Sequence, residues 1–280
     1  MSCGNCKDFD AAVQKLRSFF TGKGFIEVHT QNRLSILAAC EDPTTMATYN
    51  YAGNVWPLPQ TGQMWLEHYL LQNPEEKGFF CVSTSYRNEP NPVPGRHDLI
   101  FPMFEFESKG DMDDMIRLEK ELLEHLGFSK DMYPDNLYPE GDYNDVAKKY
   151  EVDILEHEHE TQLEKDHGPV YFLKNFPERT SPFWNMGRND GGETAKKVDV
   201  IIHGIETIGS AQRSCDKELM RKQFNEISNG EYANMLFSQF SKDRVLGEMN
   251  DFLSKEFFPR YGGGIGMTRM IRAMKMSNLI

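Results

Sequence analysis

The run Leu99-Ile-Phe-Pro-Met-Phe-Glu-Phe-Glu107 constrains this chain more than any other stretch. It is apolar enough for a buried strand, yet a period of two sets Phe101, Met103, Glu105 and Glu107 on one face. Carboxylates on such a face are costly unless cations meet them or the face lines a cleft. A second strand-like run, Phe79 to Tyr86, precedes it and passes into Arg87-Asn-Glu89. Between the two lie Asn91-Pro-Val-Pro-Gly95 and then Arg96-His97. Two apolar runs joined by a Pro/Gly loop predict an antiparallel hairpin.

Composition narrows the class. With 280 residues, 39% hydrophobic, the chain can bury a substantial core, and its length suits one α+β domain with a mainly antiparallel sheet. No run of about 18 apolar residues is present, and Met1 to Val13 lacks a basic segment followed by an apolar one. A soluble cytoplasmic protein is expected, with no membrane partner. Lys and Arg total 31 against 43 Asp and Glu, a net charge of −12 with no basic block, which disfavours an extensive RNA contact. Cys3, Cys6, Cys40, Cys81 and Cys215 are odd in number and scattered, as reduced thiols would be. Cys3 and Cys6 form a lone CxxC without further zinc ligands, and Glu156-His-Glu-His-Glu160 reads as a solvated face rather than a metal site.

Periodicity places a helix from Asp8 toward Phe25, a strand over Phe25–Thr30, turns and short strands over 41–62, and a helix over Gln63–Leu71. Helices follow at Asp111–Leu126, Lys217–Ile227 and Asp243–Phe257, with strands at Val170–Leu173 and Val198–His203. The polar segment 128–168 reads as an insertion over the core. Gly262-Gly-Gly-Ile-Gly266 opens a final helix, Thr268–Met276, with Arg269 in its first turn, where phosphate is favoured. That glycine run fits neither a P-loop nor a dinucleotide fingerprint, and a tight structural turn is its bland alternative.

An arginine at a strand end, a loop Arg–His pair and an aromatic ring suit a nucleotide clamp. Guanidinium and imidazole meet phosphate oxygens while the ring stacks on a base. The plainer alternative is a charged hairpin with ordinary salt bridges.

Taken together these segments resemble the catalytic core of class II aminoacyl-tRNA synthetases. Ser85-Tyr-Arg87-Asn-Glu89, Gly95-Arg-His97 and Phe101-Pro-Met-Phe-Glu105-Phe-Glu107 are similar to motif 2, Gly262 to Arg269 to motif 3, and Gly24 to Thr30 to motif 1. Within the class the aspartyl and asparaginyl enzymes, and their tRNA-free relatives the ammonia-dependent asparagine synthetases, are the nearest in pattern. Leu58-Pro-Gln-Thr-Gly-Gln63-Met-Trp-Leu66-Glu67 is similar to the amino-acid loop of asparaginyl enzymes, and Glu206-Thr-Ile-Gly-Ser-Ala-Gln-Arg213 to a segment with glutamate and arginine at that spacing.

The resemblance implies ATP and Mg²⁺ as cofactors and assigns roles. Arg87 binds the α-phosphate, His97 the outer phosphates and Arg269 the γ-phosphate. Phe101 stacks under adenine with Glu89 at its amino edge, and Glu206 holds Mg²⁺. Glu41, Gln63 and Glu105 hold the substrate amino group, and Arg213 its side-chain carboxylate or amide. Catalysis then falls to Arg87, Arg269 and Glu206, through positioning and electrostatics. The sequence departs from the family at Gln31, Ile100 and Leu66, where proline, glutamate and (in aspartyl enzymes) lysine are usual.

Motif 1 begins near residue 24, so one catalytic domain over 1–280 without an anticodon-binding domain is expected. The resemblance further implies a homodimer. The favoured reaction is ATP, aspartate and ammonia giving asparagine, AMP and pyrophosphate through β-aspartyl adenylate. The alternatives are transfer of the activated amino acid to tRNA or another acceptor, and a catalytically inactive binding paralogue.

Overall fold

The computed structural model describes residues 5–30, 35–38, 43–92, 98–128 and 138–280. The candidates Glu41 and His97, and Gln31, Cys3 and Cys40, lie outside these residues.

Among the described residues the strands are β1 (Ile26–Glu27), β2 (Thr48–Tyr51), β3 (Asn54–Pro57), β4 (Gly78–Tyr86), β5 (Ile100–Lys109), β6 (Glu140–Asp142), β7 (Val170–Pro177), β8 (Thr194–Ile202), β9 (Ile205–Gln212) and β10 (Arg260–Gly266). The helices are α1 (Cys6–Gly22), α2 (Gln63–Gln72), α3 (Met112–Leu126), α4 (Tyr143–Lys149), α5 (His157–His167), α6 (Lys217–Glu226), α7 (Glu231–Phe240), α8 (Lys242–Leu253) and α9 (Met267–Met276). All strands but β2 and β3, which pair as a separate hairpin, form one sheet in the order β1-β4-β5-β10-β9-β8-β7-β6. Among the described residues only the edge pairs β1–β4 and β6–β7 are parallel. The expected α+β architecture with an antiparallel-dominated sheet is what the chain adopts.

One face of the sheet is covered by α1, α3 and α9. The apolar stripe of α1 (Val13, Leu16, Phe19, Phe20) packs there against Phe80, Phe104 and Phe106, and three to four residue spacing explains why these fall on one side. Helix α3 begins with a capping box between Asp111 and Asp114 and ends at Gly127, whose φ of 110° closes the helix in the left-handed region. A second core, around Trp184, Phe224, Tyr232 and Phe252, holds α6, α7 and α8 together.

The predicted hairpin is present, with Cys81 opposite Glu105, Ser83 opposite Met103 and Ser85 opposite Phe101. Three expectations need correction. The glycines 262–264 and 266 do lead into the final helix, but they lie inside strand β10 and not in the tight turn that was the alternative, because β10 runs through the middle of the sheet beneath the side chains of β5. A Cβ at Gly262 would lie 1.8 Å from Glu107 Oε2, and one at Gly264 would lie 2.7 Å from Met103 Cε. The polar segment expected as an overlay contributes β6 to the sheet edge and packs Tyr143, Val146 and Leu163 onto Tyr171, Leu173 and Ile201. Of the run Phe25–Thr30 only Ile26–Glu27 is strand, since β1 has a single neighbour to pair with.

Candidate active site

The cleft lies on the sheet face opposite α1, α3 and α9. Register builds its floor: Glu105 of β5 stands beside Gly264 of β10, which stands beside Gly209 of β9 and then Asp199 of β8. Two adjacent glycines between two carboxylates leave an open trough. The cavity over it has a volume of about 250 Å³ and is lined by Arg87, Glu89, Phe101, Glu206, Thr268 and Arg269, among others. Arg87 extends from the end of β4 so that its guanidinium lies 5.9 Å from the Phe101 ring centre. The strand end, the alternation of β5 and the first turn of α9 thus bring together Arg87, Glu89, Phe101 and Arg269 as one wall.

Glu206 is placed by an irregularity. Ile201 pairs with Glu206 but Val200 pairs with Ile208, so Thr207 is an extra residue on β9. A bulge of this kind re-aims a side chain. Arg269 Nη1 donates to the Glu206 carbonyl at 2.7 Å and lies 3.6 Å from its carboxylate. Desolvation in the cleft pushes the Glu206 carboxyl up, but Lys197, Arg269 and Arg87 outweigh it and hold it below the usual carboxylate range.

Asp199 was not among the sequence candidates. It faces the same trough: a Cβ at Gly209 would lie 2.9 Å from Glu206 Oε1 and 3.6 Å from Asp199 Oδ1. Lys197 Nζ sits 3.0 Å from Asp199 Oδ2. An acid within the apolar run Val198-Asp-Val-Ile-Ile202 is the same kind of signal as Glu105 in β5, and it could have flagged Asp199. Two hard carboxylates over a glycine suit Mg²⁺, which takes one or two carboxylates and completes its shell with water and phosphate oxygens. No group of three or more His, Cys, Asp or Glu able to hold a metal occurs among the described residues. The Glu156–Glu160 run instead starts α5, where the Glu156 amide donates to His159 Nδ1 at 2.8 Å.

The remaining candidates form a buried polar cluster beside the cleft. Glu105 accepts from Thr61 Oγ1, from Ser83 Oγ at 2.6 Å and from the Gly62 amide at 2.9 Å. Burial pushes its carboxyl up while these donors oppose the shift. Arg213 meets Glu107 through two bonds of 3.0 Å, and the Gln63 amide, turned with its oxygen inward, accepts from Arg213 Nη1 at 3.1 Å. Glu67 takes Arg260 at 2.9 and 2.7 Å and Asn185 at 2.5 Å. Two acids and two guanidiniums balance in charge here, and a buried pair persists only when so saturated. Glu67, Glu107 and Arg260 were not expected as a unit, because nothing in their spacing shows that β5, β10 and α2 converge. Gln63, Glu105 and Arg213 therefore adjoin the cleft in a preformed network, while Arg87, Glu89, Phe101, Glu206 and Arg269 line it.

Comparison with known proteins gives a consistent picture. The family described as tRNA synthetases class II (D, K and N) matches residues 5–280. The aspartate–tRNA(Asp) ligase of Pyrobaculum aerophilum is 25% identical over 243 residues, covering 77% of this chain and 54% of that protein. The asparagine–tRNA ligase of Shewanella loihica is 30% identical over 126 residues, 40% of this chain and 26% of that protein. Among solved structures, asparaginyl-tRNA synthetase from Pyrococcus horikoshii complexed with asparaginyl-adenylate superposes with a TM-score of 0.79 at 18% identity, covering 98% of this chain and 66% of that one. The chain spans about half the length, 54%, of the first of these ligases. No helix among the described residues is long and apolar enough to cross a membrane.

Proposed function

We propose a reaction from one fact of kinship: the chain belongs to the class II tRNA synthetases of the D, K and N group. It activates an amino acid with ATP, forming an aminoacyl adenylate and releasing pyrophosphate. The observation that carries this reading is the meeting of Arg87, Arg269 and Glu206 around a cleft of about 250 Å³ that is also lined by a half-buried aromatic ring, Phe101.

In this reaction a substrate carboxylate oxygen attacks the α-phosphorus, and the bond from that phosphorus to the departing pyrophosphate breaks. Arg87 and Arg269 neutralise charge that grows on the phosphoryl oxygens, which is where fixed cations lower a barrier most. Phe101 stacks under the adenine, with Glu89 at its amino edge. Mg²⁺, held by Glu206 and Asp199, would supply charge neutralisation on the leaving pyrophosphate. The cluster of Gln63, Glu105 and Arg213 holds the amino acid in register, with the plane of the Arg213 guanidinium aimed by Glu107.

For the acceptor we favour ammonia, with aspartate as the activated acid. The ammonia nitrogen attacks the β-acyl carbon, the C–N bond forms, a proton leaves nitrogen to solvent, and AMP departs with the electron pair of the broken C–O bond. A net charge of −12 supports a small acceptor over an RNA backbone. A second reading, transfer to tRNA, is favoured by the relatives, which are tRNA ligases. Pyrophosphate release measured with each of twenty amino acids, with and without ammonium or tRNA, separates them. Aspartate with ammonium should yield free asparagine and AMP. Exchange driven by asparagine and indifferent to ammonium supports the tRNA reading, and no exchange with any amino acid overturns both.

A further inference from the structure

We propose that Glu160 and Glu164 of α5 are positioning residues that fix where Glu206 presents its carboxylate to the cleft. The inference rests on the reading of Glu206 as the residue that faces magnesium-bound ATP.

The β8–β9 hairpin turns through His203 and Gly204, both in the left-handed region with φ of 48° and 68°, so its tip is short and has little freedom of its own. The extra residue Thr207 follows at once, and the Glu206 amide is turned outward by it to donate to Glu160 Oε2 at 3.3 Å. One helical turn along α5, Glu164 Oε1 lies 2.9 Å from His203 Nδ1. Residues four apart share a helix face, so both carboxylates reach the hairpin from one side. The approach is close: a Cβ at Gly204 would lie 3.0 Å from the Thr161 Cα.

From the other side α9 grips the same two residues. Arg272 Nη1 donates to the His203 carbonyl at 3.2 Å, and Arg269 Nη1 to the Glu206 carbonyl at 2.7 Å. His203 Nε2 completes the frame at 2.9 Å from Ser277 Oγ, just past the end of α9. A bulge disrupts the ladder locally, and an amide held by Glu160 and a carbonyl held by Arg269 together fix where the Glu206 Cα sits. Partners behind a metal-facing side chain commonly change metal affinity by about 10- to 100-fold when removed. Helix α5, which belongs to the segment between β5 and β7, is on this account part of the site's scaffold.

The test uses the full chain, with MgATP binding followed by calorimetry across a series of Mg²⁺ concentrations. Glu160→Ala is expected to need about tenfold more Mg²⁺ for half-maximal ATP binding, while the KM of the amino acid that supports exchange stays within about twofold. Glu160→Gln keeps an acceptor oxygen for the Glu206 amide and should return to within about twofold of the unmodified chain. Glu164→Ala, which removes only the contact to His203, should shift the same dependence by about threefold and carries the test if Glu160→Ala does not fold. Unchanged Mg²⁺ dependence in the alanine variants overturns the proposal, as does equal loss in Glu160→Gln and Glu160→Ala. If the unmodified chain binds no MgATP, the proposed function falls and takes this inference with it. If it binds and the variants match it, only this inference falls.

Discussion

Arg213 and Glu107 face each other through two hydrogen bonds of 3.0 Å, and neither side chain reaches solvent. Burial, countered by Arg213 and reinforced by Glu67, pushes the Glu107 carboxyl up to about 7. The pair is a fork held by a fork, and it keeps the guanidinium plane fixed before any ligand arrives. Breaking one partner strands the other in a dry interior. Glu107→Ala should therefore cost about 3–5 kcal/mol of stability. Arg213→Lys, which retains charge but loses the planar fork, should raise the amino-acid KM while leaving that for ATP near its original value. Chemical denaturation and initial-rate kinetics measure the two effects, and a parallel rise in both KM values would contradict the assignment of Arg213 to the amino-acid side.

Arg87 and Arg269 should each be indispensable for turnover and dispensable for folding. Both side chains lie at the cleft rather than in a core, and Arg269 is 34% exposed. Alanine at either position is expected to reduce amino-acid-dependent pyrophosphate exchange by about 10²–10³-fold, the usual effect of removing one charged contact to the transition state. Thermal melting should move little. Near-normal exchange in either variant would sink the phosphate-clamp reading.

Gly262 of β10 and Gly209 of β9 should respond differently to the same added methyl. At Gly262 the new Cβ would meet the Phe106 carbonyl at 2.4 Å as well as Glu107, so Gly262→Ala should fail to accumulate as folded protein. At Gly209 the nearest atom is Glu206 Oε1 at 2.9 Å, the far end of a flexible side chain. Gly209→Ala should fold, because that carboxylate can swing aside, and should lose exchange activity for the same reason. Circular dichroism and the exchange assay together read the contrast, and an active Gly209→Ala would show that the space above it is not used.

Glu119 should give the chain a pH-dependent weakness. It lies on α3, fully buried under the sheet, and burial pushes its carboxyl up to about 8, against the Ser210 hydroxyl and with help from Asp199. Between the ordinary 4.5 and about 8 the folded chain keeps a proton that the unfolded chain releases. Stability from this group therefore falls as pH rises through that window, by up to about 1.4 kcal/mol per unit. Glu119→Gln should flatten this part of the profile and gain on the original chain most at pH 8. Urea denaturation at pH 5, 6.5 and 8 tests it, and parallel profiles for the two proteins would refute the buried neutral acid.

Much of this was legible in the sequence, and the reasons are specific. The strand pair around Arg87 and Glu105 could be read because alternation and a Pro/Gly loop leave few other solutions. Helix α3 could be read because its caps and its apolar spacing agree. Glu206 and Arg213 emerged from resemblance, but Asp199, which faces the trough beside the first, did not, although its place in an apolar run marked it. That the glycines opening α9 would themselves form a strand was not foreseen. Glycine usually breaks a strand, and only the overlying Glu107 and Met103 explain why it is needed within one. Helix α7 and strand β9 escaped notice because tertiary packing, not local propensity, fixes them: α7 closes on Trp184 and Phe224, and β9 lies between two other strands.

Strand β10 has one further consequence, which concerns synthesis. It alone joins the β1-β4-β5 portion of the sheet to the β9-β8-β7-β6 portion. Its partner β5 lies far back in the chain, so the join closes a very long loop, and its glycines bring little side-chain burial of their own. Until the segment beginning at Arg260 has left the ribosome, each half-sheet presents a long unpaired edge in its place. Such edges are templates for wrong partners. A nascent chain halted before Arg260 should consequently be a substrate for chaperones and proteases, and release of the remaining residues should be the event that ends that vulnerability.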